Sequence, residues 1–174
     1  MCSGARPLQA ILLDRDGVLN FDGGYVCEPE RFIWIPGAIE AVKAANDVGT
    51  LVIVITNQAG IGRGYYTEQD FESFMRWINA QLSEQGAHLD AWYYCPHHPV
   101  YARESFRIDC DCRKPRPGMV ARAIEQWGLD PASCAMIGDK VSDLIAAASC
   151  GIRGKLFDPE HDNLLAAVNE LQAT

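Results

Sequence analysis

Residues 51–55 read Leu-Val-Ile-Val-Ile, five apolar residues with no polar alternation, and the run ends in Thr56-Asn57-Gln58-Ala59-Gly60. A half-exposed strand alternates apolar and polar residues, whereas a short, mostly β-branched run of this kind fits a strand covered on both faces. Such strands need helices on both sides of the sheet. The pattern supplies them. Residues 37–48 are Ala-rich, with Ile39 and Val42 on one face and Gly49 as a stop. Thr67, followed three residues later by Asp70, opens a stripe of Phe71, Phe74, Met75, Ile78 and Leu82 that runs to Gly86. Val120, Ala123, Ile124 and Trp127 form another stripe, and Leu144, Ala147 and Ala148 another behind a Ser142 cap. A last helix is expected from about Asn163, and further strands at 10–13, 91–94, 135–137 and 155–157. The alternation predicts an α/β fold, a doubly wound (Rossmann-like) parallel sheet in a single domain over residues 1–174, with no segment long enough for a separate cap domain.

The chain has 174 residues, 48% of them hydrophobic, enough for a core that needs no disulfide staples. No stretch approaches the roughly 18 apolar residues of a membrane span. The N-terminus carries a single Arg6 and an apolar run that stops at Asp14, too short for a secretory signal, so a cytoplasmic location is expected. A formal net charge of -8 argues against broad binding to nucleic acid or anionic membranes, which depends on excess Lys and Arg. A small anionic ligand remains open through the local cluster Arg113, Lys114 and Arg116. A monomer is expected. Trp34, Trp77 and Trp127 are scattered, which suits packing better than a stacking platform for bases.

Polar residues at successive strand ends carry the chemistry. Asp14 and Asp16 lie two apart after the first strand, so on an extended backbone both side chains leave on the same side. An Asp-x-Asp alone is an ordinary solvated turn. Here Thr56 ends the second strand, Lys114 follows the loop after the third, and Asp139 follows Ile137-Gly138. Phosphoryl transfer needs this mixture, because its main problems are positioning and neutralising charge. Asp14 would be the nucleophile, and Asp16 would protonate the leaving oxygen and then deprotonate the hydrolytic water. Thr56, the backbone after it and Lys114 would hold the equatorial oxygens. Mg²⁺ bound by Asp14, Asp139 and a main-chain oxygen of Asp16 would offset the repulsion between carboxylate and phosphate.

Seven cysteines include four isolated ones, Cys2, Cys27, Cys134 and Cys150, of which Cys27, Cys134 and Cys150 read as inert small residues. The others form Cys95-Pro96-His97 and Cys110-Asp111-Cys112, two close pairs across a loop without helical or strand period. Three thiolates and one imidazole make a tetrahedral Zn²⁺ site with no open position. Such a zinc would be structural, ordering the loop at 95–116 that carries Arg113 and Lys114. Spacing alone leaves His98 as an alternative to His97.

Asp14-Arg15-Asp16-Gly17-Val18, Thr56-Asn57-Gln58, Lys114 and Gly138-Asp139-x-x-x-Asp143 resemble the four motifs of the haloacid dehalogenase superfamily, in that family's order. Asp143 has a competing reading as a surface residue complementing a helix dipole. Cys-Pro-His-His-Pro and Cys-Asp-Cys-Arg-Lys-Pro within this frame resemble the D-glycero-D-manno-heptose 1,7-bisphosphate phosphatases and, next, the histidinol-phosphate phosphatases. The loop between His97 and Cys110 resembles the longer one of the heptose enzymes. That resemblance implies hydrolysis of the 7-phosphate of a heptose bisphosphate, on the route to activated heptose for lipopolysaccharide, with histidinol phosphate or another small phosphomonoester as the alternative. It also implies substrate contacts at Asp22, Gly23, Gly24, Tyr25, Asn57, Gln58, Ala59, Arg113 and Lys140. Val18 replaces a Thr common in relatives and Ala59 a frequent Ser, so both are expected to alter substrate contacts. Two other classes compete: a phospho-accepting signalling domain, disfavoured by Asp16, and a zinc-ordered nucleic-acid module, disfavoured by the acidic charge.

Overall fold

A computed structural model describes residues 8–173; Cys2 and Arg6 lie outside them. Strands β1 (Ala10–Leu13), β2 (Leu51–Asn57), β3 (Ala91–Cys95), β4 (Cys134–Gly138) and β5 (Arg153–Leu156) pair in the order β3-β2-β1-β4-β5, every pair parallel. Leu13 sits level with Val54 on one side and Ile137 on the other.

The two-residue period of the strands divides the core. Ile11, Leu13, Val52, Val54 and Ile137 face α1 (Ala38–Asp47), α3 (Glu68–Glu84) and α6 (Leu164–Gln172). Ala10, Leu12, Ile53, Ile55 and Met136 face α4 (Gly118–Trp127) and α5 (Val141–Ala148). The doubly wound expectation therefore holds. α3 shows why the helices dock: Phe71, Phe74, Met75, Ile78 and Leu82 are all buried, each contributing about 1.5–3 kcal/mol relative to exposure. Its start is closed by a reciprocal cap, in which Thr67 Oγ1 accepts from Asp70 N at 3.0 Å and Asp70 Oδ2 accepts from Thr67 N at 2.8 Å.

Some boundaries differ from the sequence reading. β2 continues through Thr56 and Asn57, because its partner β3 pairs with it as far as Cys95. β5 begins at Arg153 and is largely exposed, as an edge strand is. α2 (Ala59–Arg63) is a short helix where two glycines suggested a loop. Ser142 does not cap α5. Lys140 is the extended residue at that position, and Asp143 Oδ2 accepts its N–H at 3.0 Å. Trp34 and Trp77 pack edge-on against Phe32 on the core, and Trp127 is more exposed.

From β1 the chain winds outward to β2 and β3, then crosses back to β4 and β5 on the other side. The carboxyl ends of β1 and β4 thus flank the point where the winding reverses, where open α/β sheets hold their ligands. No separate cap domain is present among the described residues. None of their helices is long and apolar enough to cross a membrane.

Candidate active site

The ends of β1, β2 and β4 converge on a buried charged cluster. Asp14 N donates to Ile137 O at 3.1 Å, extending the strand ladder by one residue, and Asp14 Oδ1 accepts from Arg15 N at 2.7 Å. Lys114 Nζ lies 3.1 Å from Asp14 Oδ2 and 2.7 Å from Asp143 Oδ1, and donates to Ile55 O at 2.7 Å. Those three partners match the three donors of an ammonium group. Lys114 is 4% exposed and Asp143 1%, so the surface-residue reading of Asp143 is overturned. Burial, with Asp143 and Asp16 nearby, pushes the Asp14 carboxyl up to about 6 against the opposing pull of Lys114.

Asp16 takes a different set of partners. Arg15 Nη2 donates to both of its oxygens at 2.8 Å, Asn20 Nδ2 to Oδ1 at 3.0 Å, and Gln58 Nε2 to Oδ2 at 3.0 Å. Gln58 Nε2 also donates to Thr56 Oγ1 at 2.8 Å, and Gln58 Oε1 accepts from Tyr66 Oη at 2.7 Å. The Thr56 hydroxyl, being the acceptor in that bond, keeps its own proton for another partner. Gln58 therefore orients Asp16 and Thr56 at once. Arg15 is fully buried, with its guanidinium carbon 5.6 and 5.4 Å from the Phe71 and Phe74 ring centroids and Nη2 donating to Val26 O at 2.6 Å.

The Asn57 side chain brackets the peptide of Lys114: Nδ2 donates to Lys114 O at 3.1 Å, and Oδ1 accepts from Lys114 N at 3.0 Å. The end of β2 thereby fixes the loop that delivers the lysine.

A divalent cation fits this cluster. Carboxylate oxygens of Asp14, Asp139 and Asp143 lie within 4.8 Å of one another. Asp139 Oδ1 is buried without a hydrogen-bond partner, and burial raises its carboxyl above the usual range. An anionic oxygen in that position has a large unmet demand for a cation. Gly17 keeps the approach open: its φ is +86°, and a Cβ there would lie 2.5 Å from Asp139 Cγ. The sequence reading brought Asp16 to this cation through a main-chain oxygen; its side chain faces Arg15, and Asp143 adds a third carboxylate beside Asp14 and Asp139.

A second cluster lies behind β3. Sγ atoms of Cys95 and Cys112 are 3.1 Å apart, of Cys110 and Cys112 3.3 Å, and of Cys95 and Cys110 3.6 Å; His97 Nδ1 is 3.4 Å from Cys112 Sγ and 3.8 Å from Cys95 Sγ. Tetrahedral zinc with bonds of about 2.1–2.3 Å has ligand-to-ligand edges near 3.6 Å, so the four donors already surround one point. Burial pushes the Cys95 thiol up; Cys110, despite desolvation, is held below its ordinary value by hydrogen bonds from Cys112 and Cys95. His98 is not in this group. Its Nδ1 accepts from Val100 N at 3.2 Å and Tyr101 N at 3.0 Å. The cluster reaches the other site through Arg113, whose Nη1 donates to His97 O at 3.2 Å.

The charged cluster opens into a cavity of about 510 Å³, whose walls include Asp22, Gly24, Tyr25, Asn57, Ala59, Arg113 and Lys140. Lys140 Nζ lies 3.5 Å from both Asp22 and Asp139. Gly23 turns its carbonyl to Arg31 Nη2 at 2.8 Å and is not a wall residue. Val18 is fully buried in the core and cannot touch a ligand, which corrects its expected influence on substrate. Arg63, His98, Tyr66 and Ser142 also line the cavity and were not singled out as substrate contacts from sequence. Only the long-range packing of the zinc loop on α2 brings the first two together. A larger hollow of about 620 Å³ behind Tyr25 has Phe74, Trp77 and Tyr66 in its walls and none of the strand-end carboxylates.

Residues 111–158 match the HAD-hydrolase-like family model. The chain is 43% identical over 166 residues to the D-glycero-beta-D-manno-heptose-1,7-bisphosphate 7-phosphatase of Escherichia coli O6:H1, covering 91% of this chain and 87% of that one. Its counterpart in Pasteurella multocida is 45% identical over 149 residues, covering 86% and 80%. Among solved structures, the D,D-heptose 1,7-bisphosphate phosphatase from B. bronchiseptica complexed with magnesium and phosphate superposes with a TM-score of 0.83 at 30% identity, covering 94% of this chain and 98% of that one.

Proposed function

As a phosphoric monoester hydrolase belonging to the haloacid dehalogenase superfamily, within the family of the heptose-bisphosphate 7-phosphatases, this chain is one for which we propose removal of the 7-phosphate from D-glycero-β-D-manno-heptose 1,7-bisphosphate. The observation that carries the reading is the Lys114 ammonium held between Asp14 and Asp143 at the floor of a cavity, with the buried, unpartnered Asp139 oxygen beside them.

An oxygen of Asp14 attacks phosphorus, and the bond from phosphorus to the sugar oxygen breaks. Asp16 gives that oxygen its proton, leaving heptose 1-phosphate and an aspartyl phosphate. Asp16 then takes a proton from water, which attacks the aspartyl phosphate, returning free Asp14 and inorganic phosphate. The bonds from Arg15, Asn20 and Gln58 fix the direction from which Asp16 reaches the leaving oxygen. Thr56 Oγ1, the amides that follow it and Lys114 Nζ bind the oxygens of the transferred group. Asp14, Asp139 and Asp143 would hold Mg²⁺, Asp143 through its carboxylate and Asp16 through its main-chain oxygen, and the ion supplies charge neutralisation on the phosphoryl oxygens. Cys95, His97, Cys110 and Cys112 would hold a structural Zn²⁺ that orders the loop bearing Arg113 and Lys114. A cytoplasmic monomer whose one domain spans residues 1–174 completes the proposal.

Steady-state phosphate release from both heptose 1,7-bisphosphate anomers and from histidinol phosphate, with Mg²⁺ present, tests the assignment. The β anomer is expected to have the highest kcat/KM, and phosphorus NMR should show the 1-phosphate retained. A preference for histidinol phosphate by about 10-fold or more, a difference of about 1.4 kcal/mol in transition-state binding, overturns the substrate.

A further inference from the structure

Four cations line the cavity, and three are already engaged. Lys114 lies between Asp14 and Asp143, Lys140 has Asp22 and Asp139 beside it, and Arg113 donates to His97 O. Arg63, the last residue of α2, has neither a carboxylate partner nor a hydrogen bond among the described residues, and its Nε is buried without a partner. Aromatic rings take the place of an acid: the guanidinium carbon lies 5.5 Å from the Tyr25 centroid and 5.1 Å from that of Tyr101. Rings that cover guanidinium faces leave its in-plane N–H edges free, and those edges match the oxygens of a phosphate.

Both rings are held in place by the loops around them. Tyr25 has φ of +53°, a conformation a non-glycine residue adopts only where its surroundings impose it. The loop is tied on one side by Arg31 Nη2 to the carbonyls of Gly23 and Gly24 and on the other by Arg15 Nη2 to Val26 O. Tyr101 belongs to the loop between the zinc ligands, and its N–H is held by His98 Nδ1. Arg103 N donates to Gly62 O at 2.7 Å and so docks that loop on α2; a Cβ on Gly62 would lie 2.4 Å from Pro96 O, so only glycine admits the approach.

We propose that Arg63, clamped between Tyr25 and Tyr101, is a specificity-determining residue that binds the phosphate not transferred, at the end of the sugar away from Asp14. The inference rests on the sugar bisphosphate reading above, and it gives the zinc-bearing loop a second role, that of supplying half of the clamp.

The test compares kcat/KM for heptose 1,7-bisphosphate with that for heptose 7-phosphate, which presents the same transferred group and lacks the far one. Arg63→Gln is expected to lower the bisphosphate-to-monophosphate ratio by about 30-fold, mostly through KM, as loss of a charge-assisted contact does. Arg63→Lys, which keeps the charge without the planar fork, should restore part of the ratio. Tyr101→Leu should lower it by about 3-fold, as expected for one exposed cation–π contact. Zinc content and melting temperature at wild-type values in these variants confirm that binding alone has changed. A ratio within about 2-fold of wild type in Arg63→Gln, beside an active wild type, overturns the role of Arg63 and leaves the substrate reading standing. A wild-type enzyme that hydrolyses neither heptose phosphate overturns both.

Discussion

The floor and the rim of the cavity are built from different material. At the floor, Asp14, Lys114 and Asp143 are almost wholly buried, and each is tied to a strand or to the first turn of a helix. At the rim, Tyr25, Arg63, His98 and Tyr101 lie in loops or at the end of a five-residue helix, with Tyr25 42% and Tyr101 64% exposed. A rigid floor suits a reaction whose geometry is the same for every phosphate monoester. A loop-built rim can be remodelled to accept one sugar without disturbing that geometry.

Substitutions should separate the two regions. The largest effect is expected from Asp14→Asn, which should lower kcat by about 10⁴-fold or more for every substrate; retention of activity in rapid-quench assays would remove the nucleophile from the floor. Next is Asp143→Ala, which leaves a buried ammonium with one carboxylate fewer and should destabilise the fold by about 3 kcal/mol in urea unfolding. A loss under about 1 kcal/mol would mean that the floor is less dry than its burial indicates.

The pH dependence gives a smaller and more diagnostic signal. Because the folded carboxyl of Asp14 is raised to about 6, its contribution to stability is full below about pH 4 and is lost as pH rises through about 6. The Asp14→Asn protein, zinc-loaded and without added Mg²⁺, should therefore match wild type at about pH 4 and exceed it by about 2–3 kcal/mol at about pH 8. A difference independent of pH would show that the carboxylate is well compensated by Lys114. The mildest change is Cys110→Ser. It should release zinc, measurable by metal analysis, and raise KM for the bisphosphate about 10-fold while kcat changes less, because the loop serves both Arg113 and the rim. An equal loss in kcat would place zinc in support of the floor as well.

The two regions also differed in how much of them the sequence disclosed. Asp14, Thr56 and Asp139 were legible because each follows a short apolar run, and a parallel sheet brings strand ends together wherever the strands fall in its order. The clustering of Cys95, His97, Cys110 and Cys112 was legible from their paired spacing. Asp143 stayed ambiguous, since its burial depends on Lys114 arriving from 29 residues earlier in the chain. Ser142 was misread as a cap because local preference favours Ser, whereas the chain enters α5 sooner, at Lys140. Asn57 and Gln58 were expected to meet substrate; both line the cavity, and their side chains also brace Lys114 and Asp16, which their local sequence does not reveal. Arg63 fell in a loop expected to carry specificity but was not singled out: its significance comes from two tyrosines, one 38 residues before it and one 38 residues after it, a relation that no local period reveals.

Arg15 links the chemistry to the making of the protein. Its guanidinium is anchored to the Asp16 carboxylate at one end and rests against Phe71 and Phe74 of α3 at the other. A chain in which α3 has not yet settled on the sheet lacks the surface that holds Arg15, and so lacks an oriented Asp16. Turnover is thereby a reporter of that docking: during refolding, activity should not appear before the burial of α3, so that molecules in which α3 is undocked leave phosphorylated metabolites untouched.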